Sequence, residues 1–133
     1  MSEKDNTLLV QTLYDAFSRG DMTAMLDLMD EGIDWTLLGP AGIPYAGNYK
    51  GKEGVTQFFQ DLSAGAEIHE FLPEEFITER NMVVVLGREN GIAKATGKKF
   101  ETRWCHVFTL RDGKVERFRE YTDTAAVSEA FAG

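Results

Sequence analysis

Two titratable side chains near the C-terminus carry the most chemistry in this sequence. Alternation over Thr102, Trp104, His106, Phe108 and Leu110 puts His106 on the apolar face of a strand, opposite Arg103, Cys105 and Val107. An imidazole among aromatic rings must find a hydrogen-bond partner or be pushed towards neutrality. It is therefore a candidate for acid/base work, and equally a core or dimer-interface histidine with its bonds satisfied. Glu120 lies in a second cluster, Phe118-Arg119-Glu120-Tyr121-Thr122-Asp123. Val115 and Phe118 are three apart, so both face the core only if a β-bulge intervenes. With a bulge, Phe118 and Glu120 point inward beside His106; without it Arg119, Tyr121 and Asp123 do, because a one-residue slip exchanges the faces. The bulge buries Phe118 and is preferred for that reason. It makes Glu120 a carboxylate in an apolar cavity, with a raised pKa suited to moving protons. The alternative is a strand-edge glutamate paired with Arg103 or Arg117.

Glu120 and His106 together suggest proton transfer on a hydrophobic carbonyl compound. Glu120 would move a proton α to the carbonyl and His106 would stabilise or protonate the enolate oxygen. Tyr14, Trp35, Tyr45, Phe59, Trp104 and Phe118 are the expected walls, with Tyr45 and Tyr49 at the mouth; simple core packing is the competing account of Tyr14 and Trp35. Nothing points to a cofactor or metal. There is no phosphate-binding glycine loop, no His-x-x-x-His pair and no Gly-x-Ser-x-Gly elbow. The methionines at 22, 25 and 29 need only irregular core space to explain them.

These residues must be positioned by the surrounding elements. Leu9, Val10, Leu13, Tyr14, Ala16 and Phe17 share one face of a predicted helix from about Asp5 to Arg19, stopped by Gly20. Asp21 caps a short second helix carrying Met22, Met25, Leu26 and Met29, ended by Gly32. Residues Leu38 to Lys50, with two prolines and three glycines, read as a loop. A third helix presents Val55, Phe58, Phe59 and Leu62 and ends at Gly65. Strands are expected at Ile33 to Leu37, Met82 to Leu86, Thr102 to Leu110 and Val115 to Asp123, with Arg111-Asp112-Gly113-Lys114 as a hairpin turn. A short helix around Ala125 to Phe131 closes the chain. The reading is α+β: three N-terminal helices wrapped by a curved, meandering antiparallel sheet.

The chain has 133 residues and a formal charge of −8, so one domain is expected, with neither nucleic acid nor an anionic membrane as partner. Residues 1–79 hold 15 acids and 4 bases, while residues 80–133 hold 7 acids and 10 bases; salt bridges between the basic strands and acidic helices follow as the simplest use of Lys98, Lys99 and Arg103. Cys105 is the only cysteine, which rules out an internal disulfide. The polar opening MSEKDN offers no signal peptide and no run is long enough to span a membrane, so a cytoplasmic protein is expected.

Arg19-Gly20-Asp21, Trp35, Gly47-x-Tyr49-x-Gly51, Trp104-Cys105-His106-Val107-Phe108, Asp112-Gly113-Lys114-Val115 and Phe118 to Asp123 together resemble the SnoaL-like branch of the nuclear transport factor 2-like superfamily. The resemblance spans nearly the whole chain. It implies a cone-shaped α+β barrel, a deep apolar pocket for a small apolar ligand, and homodimers through the outer sheet face. Its members include ketosteroid isomerases, polyketide cyclases, epoxide hydrolases, dehydratases and non-catalytic binders. Judged from Gly20-Asp21, Leu13 stands where the isomerases keep a tyrosine, and Tyr14 is displaced by one. Leu37, Leu38 and Gly39 offer no carboxylate where their base lies. The epoxide hydrolases carry an aspartate where Glu120 falls, but Met82 and Val84 replace the Arg and Asp they also need. Aldol chemistry of the polyketide cyclase kind asks only for an acidic residue and polar neighbours in an apolar pocket.

Overall fold

The computed structural model describes residues 1–133 and runs α1 (Glu3–Ser18), α2 (Met22–Asp27), β1 (Met29–Leu37), β2 (Gly47–Lys50), α3 (Gly51–Gly65), β3 (Ala66–Glu79), β4 (Met82–Ala93), β5 (Lys99–Arg111), β6 (Lys114–Thr122) and α4 (Thr124–Phe131). The six strands form one curved sheet in the order β2-β1-β6-β5-β4-β3. The helices do not all precede the sheet, since β1 and β2 intervene between α2 and α3. Nor is the sheet wholly antiparallel. After β2 the chain crosses by α3 to the far edge and returns strand by strand, so β6 arrives beside β1 pointing the same way.

Local chemistry sets the ends of the helices. Ser2 caps α1 through a box in which its hydroxyl accepts from Asp5 N–H and the Asp5 carboxylate accepts from Ser2 N–H. The helix therefore starts two residues before the first acid of the predicted segment. It closes in a Schellman arrangement, with Asp21 N–H donating to Ala16 O and Gly20 N–H to Phe17 O. The second helix stops at Asp27, short of Met29 and Gly32. Asp30 Oδ2 accepts from Gly32 N–H at 2.9 Å, a local bond that competes with helix, and Met29 opens β1 fully buried.

β3 is the element that sequence patterning did not show, and β2 lies inside the expected loop. β3 tolerates Pro73 because it is the edge strand, and its register shifts between Pro73 and Glu75. The hairpin at Asp112-Gly113 is present, with φ of 50° and 76° at its two central residues, the left-handed pair such a tight turn demands. The expected bulge is also present. Leu110 pairs with Val115 and Thr109 with Arg117, leaving Glu116 as the extra residue. Val115, Phe118 and Glu120 consequently share the inner face. Of the expected salt bridges, Lys98 meets Glu129 on α4 at 3.7 Å rather than an N-terminal helix.

Candidate functional site

His106 and Glu120 are direct partners across the β5–β6 ladder, and both are buried. Glu120 Oε1 lies 3.0 Å from His106 Nε2, and His106 Nδ1 lies 2.7 Å from the Tyr14 hydroxyl on α1. A neutral imidazole has one donor and one acceptor nitrogen. Nε2–H donating to the carboxylate while Tyr14 O–H donates to Nδ1 satisfies every group in this three-residue chain. The ring is held by packing as well, with Trp104 stacked at 3.9 Å and the edge of Phe118 at 4.8 Å. Phe118 in turn stacks on Trp35 at 3.8 Å. Burial first, then the negative charge of Glu120, push the Tyr14 phenol far above its ordinary value, so it remains a donor. Tyr14→Phe leaves Nδ1 buried without a partner and should cost about 1–3 kcal/mol, read by chemical denaturation. Unchanged stability would mean that the hydroxyl contributes nothing to the chain.

The chain opens on a cavity of about 50 Å³. Its walls are mostly apolar and aromatic, and Tyr14, Trp35, Tyr45, Phe59, Phe118, His106 and Glu120 all line it. Trp104 does not; it lies behind His106, between that ring and Phe71, which it stacks at 4.8 Å. Tyr49 is also absent from the wall. Its hydroxyl donates to Asp61 Oδ2 at 2.9 Å, and burial with this bond pushes its pKa up to about 12. Cys105 points to the outer face, opposite His106, and burial raises its thiol pKa while Arg119 opposes the shift.

The cavity is far smaller than the deep pocket the resemblance implies. It admits a few waters, whereas sites for drug-sized ligands run to roughly 300–1,000 Å³. Phe17, near the end of α1, separates it from two open depressions of about 470 Å³ and 350 Å³, bordering all three.

One titratable wall residue went unread in the sequence. Glu89 lies on the inner face of β4, half-buried, and borders the same cavity as Glu120. The signal was the alternation Val83, Val85, Gly87, Glu89, masked because Gly87 to Gly91 looks like a turn. Burial and then the charge of Glu120 push its pKa up to about 8. Stability should respond with a defined sign. Below about pH 4.5 both folded and unfolded chains hold this proton; as pH rises, the unfolded chain releases it first, so stability falls until the folded group ionises near pH 8. Thermal melts between those limits should show that decline, on the order of a few kcal/mol in all, and Glu89→Gln should flatten it.

No three His, Cys, Asp or Glu side chains converge to hold a metal ion, and no helix is long and apolar enough to cross a membrane. Comparison with known proteins gives a consistent result. A family profile described as the SnoaL-like domain matches residues 10–118. The structure of an NTF2-like protein from Burkholderia xenovorans LB400 is 33% identical, with a TM-score of 0.91 over 99% of each chain. Another, from Burkholderia thailandensis E264, is 30% identical, with a TM-score of 0.89 over 100% of each. TerC, co-crystallised with polyporic acid, is 25% identical, with a TM-score of 0.86 over 96% of this chain and 98% of its own. By sequence, the uncharacterised protein YesE of Bacillus subtilis (strain 168) is 25% identical over 116 residues, 85% of this chain and 78% of its own length. With matches of this extent to its whole helix-and-sheet frame, the chain belongs to the SnoaL-like family of the nuclear transport factor 2-like superfamily.

Proposed function

We propose that this protein binds a small hydrophobic carbonyl compound and moves a proton on it with its own side chains, as an isomerase, cyclase or lyase of the acid/base type. The observation that carries this reading is the buried Glu120–His106–Tyr14 chain opening on an apolar cavity. A carboxylate buried among aromatic rings is costly to folding, and such groups concentrate where protons are moved. Glu120 is the base. His106 has both nitrogens engaged and gives its one N–H to Glu120, so it has no proton left for an enolate oxygen; in the arrangement present it orients Glu120 and fixes which oxygen is free. Trp35, Phe59 and Phe118 supply flat apolar walls, and Phe17 moves to admit the ligand. The co-crystal of TerC with polyporic acid supports a small-molecule ligand.

The test is deuterium exchange at the α-carbon of small cyclic ketones, aryl ketones and 1,3-diketones in D₂O, followed by proton NMR. Exchange well above that of buffer and of heat-unfolded protein supports the proposal. Its absence across the panel rejects catalysis. A second reading, a non-catalytic carrier of a small apolar molecule, is favoured by the smallness of the cavity, and it predicts ligand-induced thermal stabilisation with no exchange. Exposed Ile77, Met82 and Tyr121 on the outer sheet face support a homodimer through that face, which sedimentation of Tyr121→Glu against the parent would test.

A further inference from the structure

We infer that Glu89 is the acid that delivers a proton to the ligand's carbonyl oxygen while Glu120 takes one from the α-carbon. This rests on the acid/base reading above and supplies a role that reading leaves empty. The cavity needs a donor at the carbonyl oxygen, and both nitrogens of His106 are already bonded, to Glu120 and to Tyr14. Glu89 stands on β4, separated from β6 by β5, and borders the cavity together with Glu120. Acid and base are therefore presented to one small volume from two different strands.

The surroundings of Glu89 suit a proton donor rather than an ion pair. From the cavity side it faces Glu120, His106, Tyr14 and Tyr45. Burial first, and then the charge of Glu120, favour its protonated form. On the other side it borders an open polar cleft of about 370 Å³, where Glu70, Glu101 and Asp123 add negative charge and Arg88 and Arg103 the positive. Arg88 is turned to Glu74, at 3.1 Å, and exerts no pull that keeps Glu89 ionised. Opposite Glu89 in the β4–β5 register stands Thr102, buried, with its hydroxyl unpartnered, and it lines the same cleft. Glu89 thus lies between a mostly apolar cavity and the open cleft, with a hydroxyl beside it, so a proton lost to the ligand can be replaced from solvent.

The step balances without any co-reactant. The Glu120 carboxylate takes the α-proton; the C–H electron pair becomes the C=C bond; the carbonyl π pair moves onto oxygen, which takes the Glu89 proton. Enol, neutral Glu120 and Glu89 carboxylate result, and the reverse step restores the ketone with an exchanged hydron. The ligand class is accordingly a ketone with an acidic α-carbon, of which 1,3-diketones are the most reactive.

The test is the pH profile of α-deuterium exchange on a 1,3-diketone by the parent protein, Glu89→Gln and Glu89→Leu, with thermal melts to confirm folding. The parent should lose exchange above about pH 8, where Glu89 releases its proton. Glu89→Leu, without a donor, should be slower by about 100-fold. Glu89→Gln, which donates but cannot titrate, should keep part of the rate and lose the alkaline decline. Parent-like rate and profile in both variants overturn the role of Glu89 while leaving Glu120 as base. No exchange by the parent overturns the acid/base reading itself, and this inference with it.

Discussion

Glu120→Gln should slow α-deuterium exchange by about 10²–10⁴-fold while leaving the protein folded and at least as stable as the parent. The substitution is nearly isosteric, and the amide oxygen still accepts from His106 Nε2–H at the position of Oε1. The Tyr14–His106 bond is untouched. What disappears is the basic lone pair and the buried negative charge. Burial is the main cause of the raised pKa values of Tyr14, Tyr45 and Glu89, and that charge adds to each. Each should therefore move back part of the way, with burial remaining, joined by Cys105 at Tyr14 and by Glu89 at Tyr45. Removing an anion from an apolar wall also removes its desolvation cost, which is why stability is not expected to fall. Initial rates on the most reactive ketone of the panel, with a thermal melt on the same samples, are the measurement. A rate within a few-fold of the parent would remove Glu120 as base. A lost rate with a collapsed melt would instead indicate that the carboxylate holds β5 and β6 together.

How much of this was legible beforehand follows from where each signal sits. The inner face of β5 is set by strict alternation, so Trp104, His106 and Phe108 were placed by periodicity alone. The bulge was legible for a steric reason, since burying Val115 and Phe118 together requires an extra residue between them. The Asp112-Gly113 turn announced itself through residues that tolerate positive φ. Three features were hidden. β3 carries exposed glutamates and a proline, and is recognisable only once its edge position is known. The parallel pairing of β1 with β6 spans most of the chain and leaves no local mark. Glu89 was concealed by glycines that punctuate a turn in most sequences, whereas here they serve close packing inside a continuous strand. The Tyr14–His106 bond, between residues 92 apart, could not be read without the fold that closes the distance.

Gly87, like Gly91 on the same strand, leaves no room for a Cβ, and Gly87→Ala should be among the most damaging single-methyl changes in the sheet. Gly87 and Trp104 are partners in the β4–β5 register, and the indole lies across the space a Cβ would occupy. An added methyl would fall 2.3 Å from Trp104 Cζ2 and 2.5 Å from the Leu72 carbonyl oxygen. Neither can yield cheaply. Leu72 O belongs to the backbone of β3, and Trp104, 3% exposed, is wedged between Phe71 and His106. Overpacking of this kind costs typically about 1–3 kcal/mol, and with backbone on one side and a trapped indole on the other the upper part of that range or beyond is expected. The damage should not stay local. Displacing the indole withdraws the surface that holds the imidazole plane, so the His106–Glu120 contact should loosen with it. The prediction is therefore a double one: a denaturation midpoint shifted by at least that energy, and exchange reduced even in the fraction that remains folded. Trp104→Phe in the same background, which shrinks the ring against the new methyl, should recover part of the stability, because the clash is with the indole's six-membered ring. If Gly87→Ala folds and works as the parent does, the indole is free to move, and the rigidity that fixes His106 must come from Tyr14 instead.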